Sequence, residues 1–177
     1  MTEKKNLIHK ASNVQLVIFD IDGVMSQGHI TYSSKGQESK SFYVQDGLGI
    51  KLLHQAHIKT AIITGRTSDI VTQRAKELGI HYLIQGRDDK LRATQELMEE
   101  LSLNASQLAY MGDDLPDLSA IQFVSLGVCP NNACTQVKAV ANLETQKSGG
   151  EGAVRELCEF ILKAQGKLDT LIEPYYL

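Results

Sequence analysis

Val17-Ile18-Phe19-Asp20-Ile21-Asp22-Gly23-Val24 is the stretch from which the fold of this chain can be read. Its first half is a short apolar run, the pattern of a buried strand. Its second half carries two carboxylates and a glycine. In open α/β sheets ligands bind outside the carboxyl ends of the strands, so acids at a strand tip mark a site. Asp20 and Asp22 are two positions apart and on an ideal strand would face the same way. Two anions that close repel unless a cation or a shared proton compensates. Taken alone, the stretch also reads as an Asp-Gly turn with an extra surface acid.

Upstream, residues 1–13 read as a lead-in or short helix and 15–21 as the first strand. Downstream the period changes. His29-Ile30-Thr31-Tyr32 and Lys40-Ser41-Phe42-Tyr43-Val44 alternate apolar and polar side chains around the turn formers Ser33-Ser34-Lys35-Gly36-Gln37. This predicts a β-hairpin. An isolated two-stranded hairpin is marginal in water, so its apolar faces need either the body of the domain or another subunit.

Leu48, Leu52 and Leu53 then fit a helix over about 46–56, with Asp46 placed to cap it. Residues 58–64 form a β-rich run ending in Thr64-Gly65-Arg66, followed by a helix over 67–78 that stops at Gly79. A short strand at 81–84, a loop at 85–88 and a helix carrying Leu91, Leu97, Met98 and Leu101 come next. Residues 107–112 make another apolar strand ending in acids: Asp113, Asp114 and, past Pro116, Asp117. A short helix (115–121), a strand (123–128), a short helix (131–138) and a weak strand (139–143) precede the glycine-rich loop 148–152. A helix over 153–165 would bury Val154, Leu157, Cys158, Ile161 and Leu162. The tail, 166–177, has no strong local preference. Alternating strands and helices predict an α/β fold, a mostly parallel sheet with helices on both faces.

The 177 residues fit one domain with a sizeable core. With 42% hydrophobic and 22% charged residues the chain has the composition of a soluble globular protein. A net charge of −3 argues against a nucleic-acid surface. No apolar run approaches the roughly 18 residues of a membrane span. The first ten residues are polar and lack a signal-peptide core, so a cytoplasmic protein is expected. Cys129, Cys134 and Cys158 have no metal-type spacing and read as packed thiols. The chain contains neither a dinucleotide fingerprint after a strand nor a Walker loop.

Three strand ends thus carry polar groups that would converge: Asp20 and Asp22, Thr64, and Asp113 with Asp114. Carboxylates from two strand tips make an oxygen-only site for a hard cation, and Mg²⁺ typically takes one or two carboxylates plus phosphate and waters. A carboxylate beside phosphorus can attack it, and a second acid can protonate the leaving oxygen. Asp20 as nucleophile and Asp22 as acid/base fit these roles. Lys90 lies in the first turn of its helix, where the backbone dipole disfavours a cation; facing carboxylates or a phosphate would make it sensible. Arg66 has the same oddity.

Asp-x-Asp-Gly-Val, Thr-Gly-Arg, a downstream Lys and Gly-Asp-Asp-x-x-Asp, in that order, resemble the haloacid dehalogenase superfamily of phosphatases. The hairpin, Tyr43-Val44-Gln45-Asp46-Gly47-Leu48-Gly49-Ile50-Lys51, Ile62-Ile63-Thr64-Gly65-Arg66 and Gly149-Gly150-Glu151-Gly152-Ala153-Val154-Arg155-Glu156 look like the family acting on 3-deoxy-D-manno-octulosonate 8-phosphate. The resemblance implies a Rossmann-like haloacid dehalogenase fold over 1–177. A small hairpin (about 28–44) would replace the cap domain; the C-terminal tail (about 166–177) could reach a neighbouring site, and Pro174-Tyr175-Tyr176 reads equally as disordered. It implies Mg²⁺ held by the Asp20 and Asp113 carboxylates and the Asp22 backbone carbonyl, with Thr64 and Lys90 on the phosphoryl group. The sugar acid would meet Asp22, Tyr43, Val44, Gln45, Asp46, Gly47, Lys51, Arg66, Arg74 and Lys90. It implies a homotetramer packed through hairpins, and a place in lipopolysaccharide biosynthesis. The chain departs from the family in having Gln45 where an arginine is usual, which removes one cation from the expected contact with the substrate carboxylate.

Two enzyme substrates stay open on this reading: the octulosonate, or another sugar-acid phosphate such as a sialic acid 9-phosphate. A catalytically silent binding subunit has no physical need to keep Asp20, Asp22, Thr64, Lys90 and Asp113 together. A phosphotransfer receiver domain would run from its acids straight toward a helix, where this chain has a hairpin.

Overall fold

The computed structural model describes residues 3–176. A six-stranded, all-parallel sheet forms its centre, in the order β5-β4-β1-β6-β7-β8. Its strands are β1 (Leu16–Phe19), β4 (Lys59–Thr64), β5 (Tyr82–Gln85), β6 (Leu108–Met111), β7 (Leu126–Cys129) and β8 (Leu143–Glu144). Alternate residues of β1 feed two cores. Val17 and Phe19 pack with the side carrying α1 (Glu3–Ser12), α2 (Val44–Gln55), α3 (Asp69–Leu78) and α7 (Ala153–Ala164). Leu16 and Ile18 pack with the side carrying α4 (Lys90–Glu100), α5 (Leu118–Phe123) and α6 (Thr135–Val140). A strand buried on both faces has no polar alternation to show, which is why β1 reads as a continuous apolar run.

The connections decide where the site lies. From β1 the sheet grows through β4 to β5 on one side and through β6 to β7 and β8 on the other. The crevice of such a sheet opens where the winding reverses, between the ends of β1 and β6. Asp20 follows β1 directly and Asp113 follows β6 by one residue.

The expected elements are present, with shifted ends. The first hairpin arm is shorter than the alternation suggested, β2 being Thr31–Tyr32, and the second lies outside the expected 40–44, β3 being Glu38–Ser39. Residues 40–43 leave the ladder because Phe42 turns onto the main core and Val44 already opens α2. The strand expected at 123–128 starts later, because α5 continues to Phe123. The tail is more ordered than its local sequence suggests. It forms α8 (Leu168–Ile172) and a short 3-10 turn at Glu173–Tyr176, anchored by buried Leu168. Residues 1, 2 and 177 of the lead-in and tail lie outside the described residues.

Asp46 does not cap its own helix, as the sequence had suggested. Tyr43 occupies the cap position of α2, and Asp46 sits inside the first turn, 3% exposed. Its Oδ1 instead accepts the Arg155 N–H of α7 at 2.8 Å. Gly152, which begins α7 at φ +106°, has no side chain to cap with, so a carboxylate from a neighbouring helix does so. Asp46→Ala should therefore cost about 1–2 kcal/mol of stability. A urea melt checks this, and an unchanged midpoint would show that α7 is held by other contacts.

Candidate active site

Asp20, Asp22, Thr64, Arg66, Lys90 and Asp113 line one cleft at the carboxyl end of the sheet, together with Gly28, Gly65, Asp88, Asp114, Pro116 and Asp117. Its volume is about 360 Å³. This is not the largest cavity. A polar hollow of about 610 Å³ lies elsewhere, lined by residues such as Asn13, His57, Gln107 and Lys167, with none of the strand-end acids.

At the centre of the cleft stands Lys90. It is 4% exposed, and its Nζ lies 2.9 Å from Asp20 Oδ2 and 2.7 Å from Asp117 Oδ1. A lysine opening a helix is thus explained, since two buried carboxylates outweigh the unfavourable dipole. Asp117 is fully buried and saturated. Its Oδ1 also accepts the Tyr110 hydroxyl at 2.8 Å, and its Oδ2 accepts the backbone N–H groups of Asp113 and Asp114 at 3.1 and 3.2 Å. Asp117 therefore shapes the loop that carries Asp113. No role for this acid follows from strand-end position alone, although the last position of Gly-Asp-Asp-x-x-Asp is its signal.

One ammonium does not balance three carboxylates. Asp20, Asp113 and Asp117 bring one oxygen each within 4.8 Å of one another. Burial, with Asp117 nearby, pushes the Asp20 carboxyl up to about 6 despite Lys90. Burial, with Asp20, Asp117 and Asp114 nearby, pushes Asp113 up to about 7. Asp113 Oδ1 is buried with no hydrogen-bond partner among the described residues. An unpaired buried carboxylate oxygen within an oxygen-only group fits a hard divalent cation such as Mg²⁺. Gly23 makes room for it: at φ +92°, a Cβ there would fall on the Asp113 carboxylate.

Asp22 lies beyond the strand, in a turn whose N–H groups at Val24, Met25 and Ser26 all point to the Ile21 carbonyl. It shares the cleft with Asp20 through this turn rather than through strand alternation. Thr64, 3% exposed, ends β4 on the opposite wall. Arg66 is half-exposed and donates to Tyr32 Oη and Glu38 Oε1, both at 3.2 Å. Tyr43, Val44, Gln45, Asp46, Gly47, Lys51 and Arg74 are not among the residues lining the cleft of this chain. Arg74 stacks over the Phe42 ring at 5.4 Å and crowds Gly47, while Asp46 faces α7.

The raised carboxyls set a pH-dependent metal response. Asp20 and Asp113 keep their protons to higher pH folded than unfolded, so metal-free stability falls as pH rises from about 4 through 7. His54, held down to about 4 by burial, contributes the opposite slope below its ordinary range, so the informative quantity is the gain on adding Mg²⁺. At about 100 times its Kd the ion adds about 2.7 kcal/mol, roughly 5–10 °C in Tm for a chain of this size. That gain should grow from pH 5.5 to pH 8. Asp113→Asn should abolish it while raising the metal-free Tm at pH 8. Thermal melts with and without Mg²⁺ check both signs.

The chain is similar to known proteins along nearly its whole length. Residues 79–157 match a family described as haloacid dehalogenase-like hydrolase. The 3-deoxy-D-manno-octulosonate 8-phosphate phosphatase KdsC of Escherichia coli (strain K12) is 43% identical over 164 residues, 93% of this chain and 87% of that protein. The crystal structure of the corresponding phosphatase from Moraxella catarrhalis, in complex with magnesium ion, phosphate ion and KDO, superposes with a TM-score of 0.95. It is 50% identical, over 97% of this chain and 98% of that one. The cobalt-bound phosphatase of Haemophilus influenzae is 40% identical with a TM-score of 0.86, over 89% of this chain and 92% of that one. With this identity and coverage, the chain belongs to the haloacid dehalogenase superfamily and, within it, to the family of 3-deoxy-D-manno-octulosonate 8-phosphate phosphatases.

Proposed function

We propose that this chain is a Mg²⁺-dependent phosphoric monoester hydrolase that converts 3-deoxy-D-manno-octulosonate 8-phosphate to 3-deoxy-D-manno-octulosonate and phosphate, a step of lipopolysaccharide biosynthesis. The observation that carries this reading is the set of buried acids around Lys90 at the strand crossover. The relative crystallised with magnesium, phosphate and KDO supports the choice of substrate.

In this mechanism Asp20 attacks phosphorus, and the bond to the sugar oxygen breaks as the bond to the carboxylate forms. Asp22 gives a proton to the leaving oxygen and later takes one from the water that hydrolyses the aspartyl-phosphate. Thr64 and Lys90 hold the phosphoryl oxygens. The Asp20 and Asp113 carboxylates and the Asp22 backbone carbonyl would hold Mg²⁺, which would supply positive charge to offset that of the carboxylates and the phosphate. Lys51, Arg66 and Arg74 are cations suited to the two anionic ends of the substrate. With Gln45 in place of an arginine, the sugar-acid carboxylate falls to these remaining cations.

The chain works as a single phosphatase unit, with the hairpin in place of a cap domain, and assembles as a cytoplasmic homotetramer through that hairpin. Ile30, Tyr32 and Val44 are 45%, 58% and 82% exposed, which supports a partner for this region. Tyr43, Val44, Gln45, Lys51 and Arg74 meet the sugar acid in this scheme from a neighbouring copy's side, whereas Asp46 and Gly47, buried against α7 and Arg74, act only by holding this segment in place. No helix of the described residues is long and apolar enough to cross a membrane.

Phosphate release with Mg²⁺ from the octulosonate 8-phosphate, a sialic acid 9-phosphate and an aryl phosphate tests the substrate. Strong preference for the first is expected; activity on the aryl ester alone would overturn the sugar-acid reading. Asp20→Asn should lower kcat by roughly 10⁴-fold or more, as loss of a nucleophile does, and substantial residual turnover would exclude Asp20 from that role. Deleting residues 33–37 should lower the mass in solution below that of a tetramer, and light scattering reads this directly.

A further inference from the structure

The hairpin reaches the acids of the cleft through one side chain. Lys40, the residue after β3, has a side chain only 1% exposed. Its ammonium pairs with Asp22 Oδ1 and lies 3.4 Å from Glu38 Oε1. Burying an ammonium is costly unless carboxylates compensate, so this lysine is committed to these partners and is shielded from substrate. The Ser26 hydroxyl is a second donor to the same Asp22 Oδ1, at 3.2 Å. The other oxygen, Oδ2, has only Arg66 Nε at 4.0 Å, beyond hydrogen-bond range. Asp22 lines the cleft with one oxygen clamped and the other without a hydrogen-bond partner among the described residues.

The clamp is tied to the hairpin's register. Tyr32 and Glu38 are paired across β2 and β3, and both accept from the same Arg66 nitrogen. Glu38 thus bridges Lys40 and Arg66, the cations nearest to Asp22 Oδ1 and Oδ2 respectively. A slip of one residue in the hairpin would turn Lys40 away from Asp22.

We infer that Lys40 is a positioning residue for the phosphatase reaction, holding Asp22 by Oδ1 so that Oδ2 is the atom that gives and takes the proton. The inference rests on the proposed function. In the first step the sugar oxygen–phosphorus bond breaks, the Asp20 oxygen–phosphorus bond forms, and the Oδ2 proton goes to the leaving oxygen. In the second, a water oxygen bonds to phosphorus, the Asp20 bond breaks, and the water's proton returns to Oδ2. Without the clamp the carboxyl is free to rotate away, and only leaving groups that need a proton suffer in the first step.

The test compares octulosonate 8-phosphate with nitrophenyl phosphate, whose leaving group departs without a proton, using full-length protein with Mg²⁺. General acid–base catalysis contributes about 10²–10⁴-fold. Lys40→Met is expected to lose about 10–100-fold in kcat on the sugar ester, with little change in KM. On nitrophenyl phosphate the first turnover should release nitrophenolate at nearly the wild-type rate, followed by slow phosphate release. Lys40→Arg should recover part of the loss, and Ser26→Ala should shift the ratio of the two substrates the same way to a smaller extent. Equal losses on both substrates in the first turnover, a loss confined to KM, or wild-type behaviour of Lys40→Met would overturn the inference. If circular dichroism shows Lys40→Met unfolded, Ser26→Ala decides, and an unchanged substrate ratio there overturns it. A wild-type protein inactive on both esters would instead overturn the phosphatase reading itself.

Discussion

The rest of the site depends on one buried ammonium that is outnumbered. Lys90 holds Asp20 and Asp117 in place, but three carboxylates meet around it. The imbalance is visible in the carboxyls themselves, with Asp20 pushed to about 6 and Asp113 to about 7. A fully neutralised cluster would be a better core and a poorer catalyst. Here the uncompensated charge amounts to what one divalent cation brings, and the phosphoryl group can then enter beside a cation rather than against bare carboxylates. The stability given up in crowding these acids is the counterpart of affinity for metal and phosphate.

That crowding sets demands on the backbone nearby. Gly23 admits the Asp113 carboxylate, and Gly149 sits where a Cβ would fall on the Gly23 carbonyl. Asn132 binds both loops, donating to the Gly23 carbonyl at 3.1 Å and accepting the Gly149 N–H at 2.6 Å. The turn after β1, the turn after β7 and the loop before α7 are therefore one unit. Its function is to keep the carbonyls and carboxylates around Asp20 from relaxing apart.

How much of this was legible in the sequence follows from which interactions are local. Strand-end residues were readable because the apolar run before them fixes their place; Asp20, Thr64 and Asp113 come together through the parallel sheet alone. Lys40 was not readable. A lysine in an alternating hairpin looks solvent-facing, and only the packing of the hairpin's end against Asp22 buries it. Asp46 misled for the same reason, since its partner lies 109 positions away in α7. The alternation of residues 40–44 was real but belonged to a chain leaving the ladder, with Phe42 turned to the core and Val44 starting a helix.

A hairpin with two-residue arms cannot exclude water from a cleft by itself. It can, however, carry information into the cleft. Through Lys40, Glu38 and Tyr32 it grips Asp22 and Arg66. Ile30 and much of the Tyr32 ring stay exposed on the hairpin. Any partner that settles on these side chains, as the proposed tetramer requires, fixes the register on which the Lys40 contact depends. Assembly and proton transfer are then linked through the same short ladder. A chain that lost the partner would keep its nucleophile, its acids around Lys90 and its phosphate-binding wall. What it would lose is the constraint on Asp22, the group whose orientation matters when a proton moves to the leaving oxygen and again when one is taken from water.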